Sequence, residues 1–302
     1  MIRRSLILTA LVSLFSLNSF SSFSLEIGAG FHIGNLGFTH ERTSDQTGFD
    51  GSNYPWGLSL YGTQPIADNF ILNSGFYMDP ILRNTVYTIF TYRERFFSIG
   101  VGPFFGPFNS KTSLLKSGIS TSVRIELPGV AFLSFRADSS IGGRLTQDGD
   151  YIQERSDASI GYYVRNAICS LNLLTRKYTQ KTTSGEVIDS TIEYSFKTDI
   201  FQKNIPYKVL LTFGYRKTSK TFIENNASVS HTLGSILVNT RIDVELTTFL
   251  KFIVDLENSI YTFGQDELLG ISNPGPGGYL FNLNAGFSID VDKLSNRLAG
   301  GT

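Results

Sequence analysis

The segment YLFNLNAGFSIDV, residues 279–291, alternates between apolar and polar side chains from Phe281 onward. Aromatic and aliphatic residues up to Val291 fall on one face, and Asn282 to Asp290 fall on the other. A period of two residues is the period of a β-strand, because successive side chains point to opposite sides of the backbone. The segment therefore predicts a strand with one apolar and one polar face.

The same alternation recurs along the chain and predicts about fourteen strands, within a range of roughly 12–16. They are expected near residues 25–38, 54–64, 69–79, 84–93, 96–104, 118–127, 130–138, 154–165, 168–178, 187–200, 206–217, 233–246, 248–263 and 279–292. In 84–93 both faces carry large apolar groups, and in 130–138 Phe132 shares a face with Arg136. The pattern leaves the orientation of 84–93 open, and in 130–138 it indicates either apolar packing against a plug or infolded loop, or a different register.

The first 24 residues have the pattern of an export signal. Arg3 and Arg4 form a basic start, and the apolar run from Leu6 to Phe15 is about ten residues long, too short to span a bilayer as a helix. Small serines before Leu25 resemble a cleavage site, so we expect residues 1–24 to be a cleaved signal peptide. A buried N-terminal helix or a retained anchor is the alternative.

Composition excludes several classes of protein. The chain has 26 basic and 26 acidic residues, and loss of Arg3 and Arg4 would leave a net charge of −2, which argues against a nucleic-acid binder. The single cysteine, Cys169, cannot form an intramolecular disulfide. No stretch after the signal approaches 18 consecutive apolar residues, so a closed β-barrel is the remaining way for this chain to span a membrane.

The connections between the predicted strands differ in length by parity. Those after even-numbered strands are short, near residues 64–68, 93–95, 128–129, 165–167, 202–205 and 247. Most of those after odd-numbered strands are longer and polar: 39–53, 105–117, 139–153, 218–232 and 264–278. Short turns on the periplasmic side and long external loops are typical of transmembrane barrels and put both termini in the periplasm. The exception is 79–83, a short connection after an odd-numbered strand.

The two faces predict lipid outside and water inside. In 206–217 the apolar face begins with Tyr207 and ends with Tyr215, which is the pattern of aromatic residues at both membrane interfaces. Charged and polar side chains occupy the other face and are expected to line a pore. The predicted pore-lining residues are His32, Arg124, Glu126, Arg155, Asp157, Arg165, Lys208, Arg216, Asn239, Arg241, Asp243, Glu245, Lys251 and Asp255. Alternatively, these charges pair across strands and only stabilise the wall.

Catalytic and cofactor motifs are not found. No pair among the three histidines has metal-ligand spacing, and no Cys/His cluster exists. Ser230-His231 is the nearest match to the Ser–His pair of barrel enzymes, but its neighbours do not resemble those enzymes. The glycine-containing segments from Gly28 and Gly100 have three residues before the last glycine where nucleotide fingerprints have two. We expect no enzymatic activity, no cofactor and no metal.

Residues 25–292 together resemble the monomeric fourteen-stranded outer-membrane porins of Gram-negative bacteria. The resemblance rests on signal, strand number, length and loop parity, not on a motif. The strand pattern begins at Leu25, without the N-terminal hatch of the fourteen-stranded fatty-acid transporters. Residues 293–302 form a short tail, whereas such barrels usually end on an aromatic residue.

The resemblance implies an outer-membrane location, contact with membrane lipids and with the barrel assembly machinery, and a monomer or weak oligomer. The expected function is passive diffusion of small hydrophilic solutes. The main alternative is a closed or plugged barrel with a structural or surface-binding role. A transporter of hydrophobic substrates and a barrel enzyme are weaker alternatives.

Overall fold

The computed structural model describes residues 25–34, 56–79, 81–106, 116–141, 150–181, 185–201, 205–224, 227–263 and 280–299. The predicted signal peptide and the predicted loops 39–53 and 264–278 lie outside these ranges, as does most of 105–117. Within the ranges, no helix has the length and apolar character needed to cross a membrane.

Fourteen strands and one helix make up the described part of the chain. The strands are β1 Glu26–Gly34, β2 Trp56–Ala67, β3 Phe70–Asp79, β4 Arg83–Arg93, β5 Phe97–Gly106, β6 Lys116–Leu127, β7 Ala131–Ser140, β8 Asp150–Val164, β9 Ala167–Lys181, β10 Gly185–Phe201, β11 Tyr207–Glu224, β12 Ala227–Glu245, β13 Leu250–Phe263 and β14 Leu280–Asp290. The helix, α1, is Val291–Ala299.

Each strand pairs antiparallel with its neighbours in sequence, and β1 pairs with β14, so the sheet closes into a barrel. In the closing pair Glu26 lies opposite Asp290 and Gly34 lies opposite Asn282. The predicted fold, a fourteen-stranded antiparallel up-and-down barrel, is confirmed. We call the end that holds Leu25, α1 and the tight connections the turn end, and the opposite end the loop end.

The turn end is built from short, locally encoded turns. Between β6 and β7 the amide of Val130 donates to the carbonyl of Leu127 at 2.9 Å, and Gly129 has a φ of +74°. Pro128 at the first central position and glycine at the second are the residues that a type II turn requires. The dipeptide Pro128-Gly129 therefore fixes this connection at two residues.

The barrel exposes its apolar face and encloses its polar face. On β6, Ile119, Val123 and Ile125 point outward and are exposed, whereas Ser120 points inward and is fully buried. Exposed leucine, isoleucine, valine and phenylalanine side chains continue this outer surface around the other strands. A closed sheet that is apolar outside satisfies its backbone groups internally, as a membrane requires, so the fold is a transmembrane barrel.

The structure shows which faces of β4 and β7 point outward, which the sequence pattern did not decide. On β4, Phe90 points outward and is exposed, while Ile89 points inward and is buried. On β7, Leu133 and Phe135 point outward, so Phe132 lies inside with Arg136. Phe132 fits there because residue 161 is glycine: a Cβ on Gly161 would lie 2.5 Å from the Phe132 ring.

The predicted loop 218–232 is wrong, because most of it is strand. β11 continues to Glu224 and β12 begins at Ala227, with Ser219 and Thr232 hydroxyls 3.2 Å apart across the hairpin. This extension lacks the apolar–polar alternation that predicts a strand, because both of its faces carry polar residues. A strand that leaves the bilayer no longer needs an apolar face. The pairing survives because its backbone hydrogen bonds do not depend on side-chain polarity.

The segment after β14 begins with the helix α1. Asp290 accepts a hydrogen bond from the amide of Lys293 at 3.0 Å, which is the contact of a helix N-cap. Asp292 accepts from the amide of Leu25 at 2.8 Å, and the amide of Val291 donates to the carbonyl of Leu25 at 2.8 Å. The helix therefore fastens the end of the barrel to its beginning.

Candidate functional site

The enclosed face of the barrel carries the candidate functional residues. All of the predicted pore-lining residues except Arg165 occupy inward-facing positions of the strands. Arg165 lies in the turn between β8 and β9 and is exposed, because β8 ends at Val164. Its predicted place on the lumen wall is corrected to the rim of the turn end.

Four inward-facing arginines pair with a carboxylate two residues later on the same strand. The distances are 3.0 Å for Arg124–Glu126, 3.5 Å for Arg136–Asp138, 3.3 Å for Arg155–Asp157 and 2.7 Å for Arg241–Asp243. Residues i and i+2 of a strand point to the same side, so the motif Arg-x-Asp/Glu forms these pairs locally. The motif is visible in the sequence, and it places paired charges along the lumen.

The remaining predicted residues also form groups on the wall. Lys208 lies opposite Asp243 and Lys251 lies opposite Glu245 in register, and these four residues line a cavity of about 250 Å³ at the turn end. Higher on the wall, Asp255 lies opposite Arg241, and Asn239 lies opposite Glu257.

The imidazole ring of His32 packs against Gly57 of the neighbouring strand β2. A Cβ on Gly57 would lie 2.2 Å from the His32 ring. No group of three or more His, Cys, Asp or Glu residues suited to a metal ion occurs in the part of the chain that the structure describes.

Arg216, near the middle of β11, joins two carboxylates. It bonds to Glu193 at 2.9 Å and to Glu257 at 2.5 Å, and the side chains of Arg216 and Glu193 are only 4% and 6% exposed. Glu193 and Glu257 were not among the predicted site residues. The two-residue period places both inward but cannot show that they meet on one guanidinium.

The short connection between β3 and β4 bends into the lumen. Asp79 accepts hydrogen bonds from the amides of Ile81 and Leu82, both at 2.7 Å, and these two apolar side chains are 0% and 1% exposed. Arg83, which follows, has a φ of +63°, a left-handed conformation that is costly for a residue other than glycine. The connection is thus held inward by its own capping carboxylate.

Two ion pairs tie this connection to the far wall. Asp79 binds Arg176 of β9 at 2.8 Å, and Arg83 binds Asp189 of β10 at 2.7 Å. Five strands separate the partners along one side of the barrel and seven along the other. A circular barrel of fourteen strands about 4.8 Å apart, tilted by the usual angle of about 35–45°, would be roughly 26–30 Å across, so the inward bend is what brings these groups together. We call these four residues the cross-lumen bridge.

Buried polar groups support the bridge. The ammonium group of Lys116 donates to the carbonyl of Leu82 and to the hydroxyl of Thr85, the latter at 2.8 Å. Thr85 also donates to Gln153 of β8 at 3.2 Å, and Lys116 is fully buried. The described interior is therefore filled with contacting side chains at this level. None of the bridge contacts was predicted, since a face pattern gives no contact between strands that are not neighbours.

A polar chamber lies nearer the turn end, against β5 to β8. Arg124 bonds through Nε to Glu126 and through Nη2 to the Tyr163 hydroxyl at 2.8 Å, and its guanidinium lies 4.1 Å from the centre of the Phe132 ring. Tyr163 donates to Glu126 at 2.6 Å. Arg124 and Ser98 line two adjoining cavities of about 390 and 180 Å³.

Fold and site together define a transmembrane β-barrel of the outer-membrane type, with a charged lumen crossed by ion pairs. No protein-family model and no curated protein sequence matches this chain.

Solved structures similar to this chain include outer-membrane proteins. An outer-membrane channel of Pseudomonas putida F1 has 8% identity and a TM-score of 0.49, covering 91% of this chain and 98% of that chain. An anion-selective porin of Comamonas acidovorans has 11% identity and a TM-score of 0.38, covering 88% and 98%. A loop-deletion form of OmpT, an outer membrane protein of Vibrio cholerae, has 9% identity and a TM-score of 0.41, covering 88% and 97%.

Proposed function

We propose that this protein is a bacterial outer-membrane channel for small hydrophilic solutes, closed at mid-height in this conformation by the cross-lumen bridge. The observation that carries the proposal is a lumen wall on which polar and charged side chains outnumber apolar ones such as Ile89 and Leu237. Paired arginines and carboxylates on such a wall favour hydrated solutes over apolar ones. The barrel needs no catalytic group or cofactor for this function.

The same proposal includes orientation and partners. Leu25 and α1 lie at the turn end with the tight turns, which in such barrels faces the periplasm. We therefore assign a cleaved signal peptide, periplasmic termini, insertion by the barrel assembly machinery and a monomer or weak oligomer in contact with lipid.

A permanently closed barrel with a structural or surface-binding role is the second candidate. It is favoured by the burial at mid-height, where Arg216, Asp189 and Lys116 are almost inaccessible. Buried ion pairs of this kind resist separation, because a charge left without its partner inside a protein costs several kcal/mol.

Single-channel recording in planar bilayers distinguishes the two candidates. The test variant replaces both members of one bridge pair, Asp79→Ser with Arg176→Ser, so that neither charge is left alone. We expect the wild type to show rare or small conductance steps, and the double variant to show steps or open times at least several-fold larger.

The control removes an ion pair on the outer side of the same wall. Lys177 and Glu154 lie 2.9 Å apart, are 46% and 51% exposed, and neighbour inward-facing residues on β9 and β8. Lys177→Ser with Glu154→Ser should leave conductance unchanged. Absence of steps from folded wild type and folded bridge variant alike would refute a channel. Equal conductance in both would refute closure by the bridge.

A further inference from the structure

Three serines and two arginines form one cluster on the inner face of β5, β6 and β7. In register, Arg124 lies between Ser98 on β5 and Ser134 on β7, and Ser122 lies opposite Arg136. All five residues line the 180 Å³ cavity of the chamber. We call these residues the serine–arginine cluster.

The carboxylates near this cluster already have partners. Both oxygens of Glu126 accept hydrogen bonds, one from Arg124 and one from Tyr163. Asp157, which also lines the cavity, pairs with Arg155 at 3.3 Å. Asp138 accepts from Gln153 at 3.3 Å and meets Arg136 only at 3.5 Å.

Hydrogen-bond donors in the cluster are in excess. Nη2 of Arg136 is buried and has no partner in the described part of the chain. Within the same ranges, the hydroxyls of Ser98, Ser122 and Ser134 make no hydrogen bond, and Nη1 of Arg124 stays available beside its two bonded nitrogens. A buried guanidinium N–H without an acceptor costs free energy, which a bound oxygen atom would recover.

Both guanidiniums are held in place before any ligand arrives. Arg124 lies over the Phe132 ring, and Arg136 lies over the Tyr87 ring with 5.2 Å between its guanidinium carbon and the ring centre. Rings that support a guanidinium face leave its N–H edge free to bind an anion. Such preorganisation reduces the entropy lost on binding.

We propose that the serine–arginine cluster binds a small organic or inorganic oxyanion, a carboxylate or a phosphate, on its way through the barrel. This inference rests on the proposed channel function, and it adds the chemical class of the solute. Hydroxyl groups and guanidinium edges from three strands give the oxygen atoms of one anion several donors at once. Neutral and cationic solutes lack the acceptors or the charge that this set requires.

Isothermal titration calorimetry on the refolded barrel in detergent micelles tests the site without any conductance. The probes are acetate, succinate, inorganic phosphate, methyl glucoside and ethylammonium, at constant ionic strength. We expect binding of at least one of the three anions and none of the two other solutes. Preference for carboxylates or for phosphate identifies which oxyanion the site takes.

Matched variants locate the site. Arg136→Gln should weaken anion binding about tenfold or more, the usual loss for a charge-assisted hydrogen bond. Arg241→Gln makes the same charge change on another part of the wall and should leave the affinity unchanged. Heat-modifiable migration on gels verifies that each variant is a folded barrel.

The proposed site would be refuted if wild type and Arg136→Gln bound the anion with equal affinity, or if Arg136→Gln and Arg241→Gln lost equal affinity. It would also be refuted if methyl glucoside bound as well as the anions, or if no anion bound. Anion binding by a barrel without conductance would leave the site standing and refute only the channel. Conductance without anion binding would support the channel and refute the anion site.

Discussion

Single charged residues inside this barrel differ greatly in how deeply they are buried. Arg216 is almost fully buried between two carboxylates, whereas Arg241 pairs with Asp243 at the turn end with its side chain 39% exposed. Solvent screens an exposed pair, so its removal costs little. A buried pair that loses one member leaves a charge without compensation.

Arg216→Ala should therefore lower the free energy of unfolding by about 3–5 kcal/mol, because Glu193 and Glu257 would remain buried without a counter-charge. Arg241→Ala should cost no more than about 1 kcal/mol. Urea titration of barrels folded in lipid vesicles measures both. Adding Glu193→Gln and Glu257→Gln to Arg216→Ala should recover part of the loss. A loss for Arg216→Ala as small as that for Arg241→Ala would contradict the assigned role of burial.

At the scale of elements, the membrane-spanning parts of the strands were predictable and their extensions were not. The alternation in 206–217 correctly gives the start and faces of β11, but the strand continues to Glu224. Apolar alternation reports only the part of a strand that faces lipid. Beyond the bilayer, backbone pairing and hydroxyl contacts such as that of Thr221 with Ser230 at 3.0 Å maintain the hairpin.

The outer part of the β11–β12 hairpin should accordingly be dispensable for folding. Lys220 and His231 are partners in register, so replacing 221–230 by Asn-Gly would close the hairpin with a two-residue turn. We expect this variant to fold and to change the free energy of unfolding by less than about 1 kcal/mol, since loop-end extensions lie outside the lipid. Closing the hairpin deeper, by replacing 212–239, should abolish the heat-modifiable barrel. Failure of the shorter deletion to fold would show that the extension belongs to the folding core.

At the scale of the whole molecule, the barrel could be predicted from local sequence patterns, whereas the contacts across its lumen could not. Strand number, closure and inward positions follow from a period of two and from turn residues such as Pro128-Gly129. The cross-lumen bridge does not follow, because it joins strands that are distant in the sheet. Its only signal in the sequence is the short connection 79–83, which breaks the parity of the loops. The sequence left an open and a plugged lumen as alternatives, because the ion pairs that cross the lumen are contacts that no local pattern encodes.

The assignment of lipid and lumen faces is a property of the whole barrel, and β6 offers adjacent positions to test it. Val123 points outward near the middle of the apolar belt and is 41% exposed, while Ser122 points inward to the chamber. Arginine at a lipid-facing site near the bilayer midplane costs about 2–4 kcal/mol in such barrels. Val123→Arg should therefore destabilise the folded protein by that amount in urea titrations from vesicles. Ser122→Arg should cost clearly less, because its guanidinium would enter the polar cavity rather than lipid. Equal costs, or the reverse order, would mean that the two faces of β6 are exchanged.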